Sequence, residues 1–202
     1  MSNEVYEYRG VSDLVCAKIL KDDLEAFETD EVFKIAGLAE LGRTTENSSE
    51  PHYYDNNPQV VVSSVGADTV TCSVSAIPLD VLAKITGQFY DEETGMFIEG
   101  ERTNDYFALG YKTQTTKGDE IFVWRLKGQF SIPDSTHATK TAGTEANGQE
   151  IVFTGISTTH KFTKTGKSEK AINVNVSKDL IENKETFFDS VQTPDTIVKK
   201  TA

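Results

Sequence analysis

The most regular alternation of apolar and polar residues lies in residues 68–87, DTVTCSVSAIPLDVLAKITG. Along its first half, apolar side chains alternate with small hydroxyl side chains, with Val70, Cys72, Val74 and Ala76 on one face and Thr69, Thr71, Ser73 and Ser75 on the other. A period of two places successive side chains on opposite faces, so this segment predicts a half-buried β-strand. Its polar face carries no charge, which favours a smooth surface over a binding pocket.

The second half of the same stretch predicts a short amphipathic helix over residues 78–86. Pro78 stands at its beginning, where the missing N–H costs least. Gly87 follows the last turn, where a left-handed residue ends a helix. A helix with a sharp end is therefore expected directly after the strand.

Short apolar runs separated by turn residues predict further strands, several of them paired as hairpins. A turn at residues 66–68 joins the first such pair. The runs are residues 14–20, 32–41, 60–65, 89–98, 106–111, 121–132, 151–162 and 171–176. In residues 121–132 the even positions are apolar, which places the single tryptophan, Trp124, in the core. The expected fold class is mainly β, a β-sandwich with one short flanking helix.

Two polar segments interrupt these runs. Residues 21–31 are strongly acidic and predict a solvated loop. Residues 42–59, GRTTENSSEPHYYDNNPQ, have almost no aliphatic side chains, and a loop of this length in a compact domain indicates function or disorder. Because exposed tyrosines are favoured at protein interfaces, Tyr53 and Tyr54 favour a loop that a neighbouring molecule orders. A mobile linker is the alternative.

The C-terminal residues 177–202 have a different pattern and predict a C-terminal arm. Phe187 and Phe188 would be unfavourable in water, so they either fold back on the sandwich or dock on a neighbour. Four lysines before this arm predict a basic hairpin tip, namely Lys161, Lys164, Lys167 and Lys170. A DNA-binding patch usually interleaves aromatic residues and lies in a basic domain, so we interpret this tip as solvated or protein-facing.

Composition and charge narrow the class of protein. The 202 residues suffice for one domain with decorated ends, and the net charge of −12 opposes binding to nucleic acid or an anionic membrane. The charge is uneven: residues 1–60 hold 13 acidic and 5 basic residues, whereas residues 121–202 hold 9 acidic and 11 basic. Because the N-terminal part is acidic and the C-terminal part slightly basic, head-to-tail contact between copies of the chain is favoured.

The cysteines and the hydropathy bear on the compartment. Cys16 and Cys72 lie in apolar patterns and are expected to be buried, reduced thiols. The N-terminus does not resemble a signal peptide, and no apolar run approaches the roughly 18 residues of a membrane span.

The sequence offers no motif for chemistry. It contains no dinucleotide-binding or phosphate-binding glycine motif, no nucleophile elbow and no zinc-protease motif. None of the three histidines has another histidine or a cysteine at short ligand spacing, and the acidic residues 91–93 lack the alternation of a calcium loop. We therefore expect no enzyme, no catalytic residue, no metal and no cofactor.

Several stretches resemble the major tail protein, the tail tube subunit, of long-tailed non-contractile phages that infect Gram-positive bacteria. They cover most of the chain in order: YRGVSDLVCA (8–17), TTENSSEPHYYDN (44–56), PLDVLAKITGQFYD (78–91), YFALGYKT (106–113), FVWRLKGQFSIPD (122–134), ANGQEIVFTGISTTHKFTKTGK (146–167) and FFDSVQTPDTI (187–197). The resemblance implies a β-sandwich whose inner sheets join between subunits into a ring-shaped barrel. Hexameric rings would stack into a hollow tube through which DNA passes. A monomeric β-sandwich module that binds carbohydrate or another cell-surface ligand is the alternative.

The resemblance also assigns roles to segments. Residues 1–176 would be the tube domain, with an inter-subunit loop at residues 43–59, and residues 177–202 the arm that bridges neighbours. The loop residues are Glu50, His52, Tyr53, Tyr54, Asp55 and Asn56, and the arm residues are Phe187, Phe188, Val191 and Pro194. Thr69, Thr71, Ser73 and Ser75 are the candidate lumen face, and the four lysines the candidate contact between rings. The implied protein partners are further copies of the chain, a tape measure protein, a tail terminator and a distal tail protein. DNA would pass through transiently, and no membrane insertion is expected. The subunits would assemble in the host cytoplasm and become part of the virion tail.

Overall fold

The computed structural model describes residues 5–139 and 147–201, which form one large antiparallel sheet that folds over itself. The strands are β1 (Tyr8–Asp22), β2 (Phe27–Thr29), β3 (Phe33–Lys34), β4 (Leu38–Tyr54), β5 (Asn57–Val74), β6 (Phe89–Asp91), β7 (Met96–Ile98), β8 (Phe107–Thr115), β9 (Glu120–Phe130), β10 (Asp134–Ser135), β11 (Gln149–Gly155) and β12 (Ala171–Asn175). Helix α1 (Leu79–Thr86) follows β5, and a 3₁₀ turn (Val176–Lys178) follows β12. The main strand order is β2-β1-β8-β9-β11-β5-β4, while β6 and β7 pair separately. The mainly β architecture is as expected.

Two hydrophobic cores lie on opposite faces of the β1–β8–β9 part of the sheet. The first core joins that part to β5 and β11, and it includes Leu14, Leu109, Val70 and Phe153. Because both halves of the sheet contribute to this core, the sheet forms a sandwich, and α1 closes the core with Ile85. The second core lies on the outer face of β8 and β9 and is covered by the C-terminal segment: Ala17, Ala108, Phe122, Trp124, Leu126, Phe162, Val176, Ile181, Phe187 and Val191.

A bulge in β9 allows this strand to serve both cores. Leu109 pairs with Arg125 and Phe107 pairs with Gly128, so β9 has one more residue than β8 between these pairs. An extra residue reverses the alternation of faces. Trp124 therefore lies in the second core, whereas Phe130 lies in the first. This confirms the prediction that Trp124 is a core residue. The apolar even positions of residues 121–132 therefore do not all face the same core.

The helix confirms the local signals. Pro78 directly precedes α1, and Gly87 ends it with a φ of 67°. A Cβ at position 87 would also collide with Thr103, so both the backbone conformation and the close approach require glycine there.

The largest difference from expectation is in residues 42–67. Residues 42–59, predicted as a loop, are strand except at their turn, and the predicted turn at residues 66–68 lies within the continuous strand β5. Strands β4 and β5 form one long hairpin that turns at Asp55 and Asn56, whose φ angles are 49° and 63°. Two successive positive φ angles are the signature of the two-residue turn that matches strand twist, and Asp and Asn tolerate them. The acidic residues 21–31 also contain a short strand, β2, that pairs with β1.

Candidate assembly surfaces

The end of the β4–β5 hairpin extends away from the sandwich. Strand β11 pairs with β5 only from Asp68 to Val74, and every residue from 46 to 66 is exposed. We call residues 46–67 the hairpin arm. At about 3.4 Å per residue, the nine residues that β4 contributes to the arm, 46–54, project about 30 Å. The six predicted loop residues, from Glu50 to Asn56 without Pro51, all lie at its distal end, and Tyr53 and Tyr54 are 64% and 56% exposed. Whether they contact another subunit stays a prediction.

A buried carboxylate anchors the root of the arm. Asp68 Oδ2 accepts a hydrogen bond from Arg125 Nη1 at 2.6 Å, and both side chains are almost fully buried. Lys170 Nζ lies 3.6 Å from Asp68 Oδ1, and Arg43 Nη1 lies 3.9 Å from Asp68 Oδ2. Three cations from β4, β9 and the approach to β12 thus converge on one acid of β5. Since this is the residue where β5 leaves β11, the cluster fixes the direction in which the arm departs.

Sequence reasoning missed this cluster. The local sequence predicts a turn at Asp68, and Arg125 stands at an odd position between the apolar even positions of its strand. The available signal was the alternation along β5. Asp68 stands two residues before Val70, so it lies on the same buried face as Val70, Cys72 and Val74. An acid at a core position of a strand requires a buried cation as its partner.

The structure divides the four predicted tip lysines. Lys161, Lys164 and Lys167 are exposed in a turn closed by a bridge between Phe162 and Lys167. Lys170 instead lies at the arm root, where it also donates to the Gly66 carbonyl oxygen. The basic tip therefore has three lysines, because Lys170 is held by the arm. We call residues 159–167 the basic turn.

Two carboxylates hold the basic turn in place. Asp22 accepts hydrogen bonds from the Thr159 and His160 N–H groups at 2.8 and 2.9 Å, and Lys127 Nζ lies 2.5 Å from it. Burial raises the pKa of Asp22, but the Lys127 ammonium and these N–H groups outweigh burial and lower the pKa below its ordinary value. Asp195 of the C-terminal segment accepts from the N–H groups of residues 163 and 164, both at 2.8 Å. The acidic run at residues 21–31, predicted only as a solvated loop, thus contains a structural carboxylate, Asp22.

The predicted hydroxyl face is present on β5. Thr69 lies between Thr44 and Thr154 on the neighbouring strands. Ser73, in contrast, lies between Glu40 and Glu150. The surface is therefore uncharged around Thr69 and Thr71 and acidic around Ser73. Ser75 lies beyond β5, and its Oγ accepts the Gly37 N–H at 3.0 Å, so its role is local. Whether the face lines a lumen stays a prediction.

The C-terminal arm packs on its own subunit. Phe187 is fully buried, and its carbonyl oxygen accepts the Trp124 Nε1–H at 3.2 Å. The Phe122 ring lies 5.2 Å from the rings of both Phe187 and Phe188. Val191 and Pro194 are also buried. Of the two alternatives left by the sequence, the structure shows that these side chains fold back on their own subunit. Whether the arm also contacts a neighbour stays a prediction.

Candidate sites for chemistry are few. A cleft of about 690 Å³ opens between β1, β4, β8 and β9, with Val11, Leu41 and Tyr111 among its walls. Residues 5–139 and 147–201 hold no group of three or more metal-ligating side chains. Cys16 and Cys72 are buried thiols, and burial raises the pKa of Cys72 to about 12. No helix in the described part of the chain has the length and apolarity that a membrane crossing requires.

The fold and its surfaces define a class: a β-sandwich subunit with a self-covered core and one long exposed arm, as in proteins that associate with their own copies. The sequence profile of the family described as phage tail tube protein matches residues 16–190. The chain belongs to this family, and it is therefore a structural component of a virion tail that self-assembles into a tube. A comparison with curated proteins found no match.

Proposed function

We propose that the chain forms hexameric rings that stack into the hollow tail tube of a long-tailed, non-contractile phage of a Gram-positive host. The inner sheets of the six subunits would join into a barrel through which DNA enters the host cell. The observation that carries this proposal is the hairpin arm, which is strand-paired yet exposed on all sides in a member of a tube-forming family. An isolated two-stranded ribbon is marginally stable in water, so a neighbouring copy that packs on it stabilises it.

The surfaces support a division of roles within the tube. The hydroxyl face around Thr69 and Thr71, with Glu40 and Glu150 near its end, is the proposed lumen, because uncharged and acidic groups do not retain a polyanion. The basic turn is the proposed contact with the acidic N-terminal part of the subunit in the next ring. The proposed partners at the tube ends and inside it are the tail terminator, the distal tail protein and the tape measure protein, with assembly in the host cytoplasm.

The decisive experiment removes the arm without disturbing the sandwich. Thr45 and Asp68 lie directly opposite each other, so residues 46–67 can be replaced by an Asn-Gly turn. Wild type should form hollow tubes in negative-stain micrographs, with six subunits per ring. The shortened variant should remain a folded monomer by light scattering and circular dichroism. Wild-type protein that stays monomeric at high concentration would contradict the proposal and favour the binding-module alternative.

A salt series tests the contact between rings. Exposed charge pairs are screened over a Debye length of about 8 Å at physiological ionic strength. Raising the salt concentration should therefore shorten tubes or raise the protein concentration needed to form them. The triple variant Lys161→Gln/Lys164→Gln/Lys167→Gln should assemble less at low salt and respond less to added salt. Tube length that is independent of salt would contradict the charge-based contact, but not the tube.

A further inference from the structure

The two strands of the hairpin arm differ in chemistry. On β4, the residues from Asn47 to His52 are polar or proline, and on β5 their partners include four valines. These valines are between 49% and 64% exposed: Val60, Val61, Val62 and Val65. Valine favours strands through packing against neighbours, and the described part of the subunit provides no such cover for these four side chains. The exposed apolar surface of the arm is thus concentrated on β5.

The backbone edge of β5 is also unpaired along the arm. In the sandwich β5 lies between β4 and β11, but β11 ends at Gly155, opposite Asp68. Beyond that point, no strand in residues 5–139 or 147–201 pairs with this side of β5. Where the arm joins the sandwich, the Gly66 carbonyl oxygen accepts a hydrogen bond from Lys170 Nζ. The free edge therefore consists of residues 57–65.

The opposite edge of the arm, on β4, resists pairing. It carries Pro51, which lacks an N–H, and the acidic residues Glu46 and Glu50. Proline and charged residues on an edge strand are devices that block strand addition. The corresponding part of β5 has no charged residue, and its one proline, Pro58, lies next to the turn. The arm is thus protected on one edge and open on the other.

We propose that the β5 edge, residues 57–65, accepts a strand from a second copy of this chain. The added strand would occupy the position that β11 leaves vacant beyond Gly155, and it would extend the same sheet across the subunit boundary. Main-chain hydrogen bonds would provide affinity, and the valines would pack on side chains of the added strand. The inference rests on the proposed function, because self-assembly into a tube supplies copies of the chain as the partner.

Hydrogen exchange of assembled tubes tests which edge is used. Amides that point outward along a strand alternate with amides that point to the partner strand. On assembly, the outward amides of residues 57–65 should exchange at least about tenfold more slowly, while those of residues 46–52 on β4 change less. Tubes whose β5 amides exchange as fast as those of the unassembled subunit would overturn the inference.

Paired proline substitutions provide a second test with a matched control. Val61→Pro and Val62→Pro modify adjacent residues of β5, so one of the two removes an outward N–H and leaves the β4–β5 ladder intact. Ser48→Pro and Ser49→Pro do the same on β4. The β5 variant that keeps a folded arm, judged by exchange within the arm, should lower tube yield at least about tenfold, whereas its β4 counterpart should assemble within about twofold of wild type.

The outcomes separate this inference from the proposed function. If wild-type protein forms no tubes, both fail. If it forms tubes and the outward β5 proline variant assembles at wild-type yield, only the edge inference fails. Loss of tubes with the β4 variant alone would show that the added strand pairs with the opposite edge, which also overturns the inference.

Discussion

The hairpin arm and the C-terminal arm were both expected to contact neighbouring subunits, and they have opposite environments in the structure. Tyr53 and Tyr54 are exposed at the end of a ribbon that none of the residues 5–139 and 147–201 covers, whereas Phe187 is fully buried against Trp124. Aromatic residues at a chain end therefore do not by themselves indicate an interface. The presence of a complementary apolar face in the same chain decides whether they fold back. Here the outer face of β8 and β9 is that complement for the C-terminal arm.

The largest effect on stability is expected at Phe187. The substitution Phe187→Ala removes a buried ring between Phe122 and Phe188 and should lower the free energy of unfolding by about 4 kcal/mol. Denaturant titration followed by tryptophan fluorescence measures it, since the carbonyl of Phe187 contacts Trp124. A loss below about 1 kcal/mol would mean that this segment is not part of the core.

A somewhat smaller loss is expected from Asp68→Asn. The amide keeps the shape of the side chain but leaves the charge of Arg125 buried without its partner, which should cost about 3 kcal/mol. In addition, assembly should decline more than stability alone explains, because the arm loses its anchor. The control Asp189→Asn changes an exposed acid and should alter neither property. Equal behaviour of the two variants in thermal melts would contradict the role of the root cluster.

The carboxylate beneath the basic turn gives a prediction about pH. The folded pKa of Asp22 is lowered from its ordinary value of 3.8, so its contribution to stability is present above pH 3.8 and is lost as the pH falls through the lower folded pKa. The difference in unfolding free energy between wild type and Asp22→Asn should thus be largest near neutral pH and shrink below pH 3.8. Denaturant titrations between pH 2 and 7 measure it. A difference that grows on acidification would reverse the assigned sign.

The smallest change in stability is expected at the end of the hairpin arm, where a substitution should nevertheless reduce assembly strongly. Replacing both Tyr53 and Tyr54 by Ala should alter the unfolding free energy by no more than about 0.5 kcal/mol, because both side chains are exposed. Tube yield in micrographs should nevertheless fall. Phe89→Ala, which removes an exposed aromatic ring outside the arm, is the matched control. Normal tube yield from the double tyrosine variant would show that the end of the arm makes no contact.

Sequence patterns over short segments predicted those parts of the fold in which burial makes apolar and polar residues alternate or in which a helix begins and ends. Alternation predicted the buried half of β5, and Pro78 with Gly87 predicted both ends of α1. The same rules failed for the hairpin arm, because a ribbon exposed on both faces has no reason to alternate. Its turn was nevertheless marked by Asp55 and Asn56, two residues that tolerate a positive φ, between a tyrosine pair and a run of valines.

The candidate surfaces could be predicted only in part, because pairing between distant segments decides them. The sequence gives no register, so it could not place Glu40 and Glu150 beside Ser73 or separate Lys170 from the other lysines. The fate of Phe187 and Phe188 depended on whether the outer face of β9 was apolar. The apolar even positions of β9 were visible in the sequence, but alternation alone does not tell which side of the sheet they face or which segment covers them.

The bulge in β9 has a consequence for how the subunit comes apart. Since Trp124 belongs to one core and Phe130 to the other, the loss of either core removes packing from a strand that both cores share. Heating should therefore produce a single calorimetric transition whose van't Hoff and measured enthalpies agree. A subunit that unfolds only as a whole would keep its C-terminal layer for as long as the rest stays folded, and this suits a subunit that neighbouring copies load within a tube.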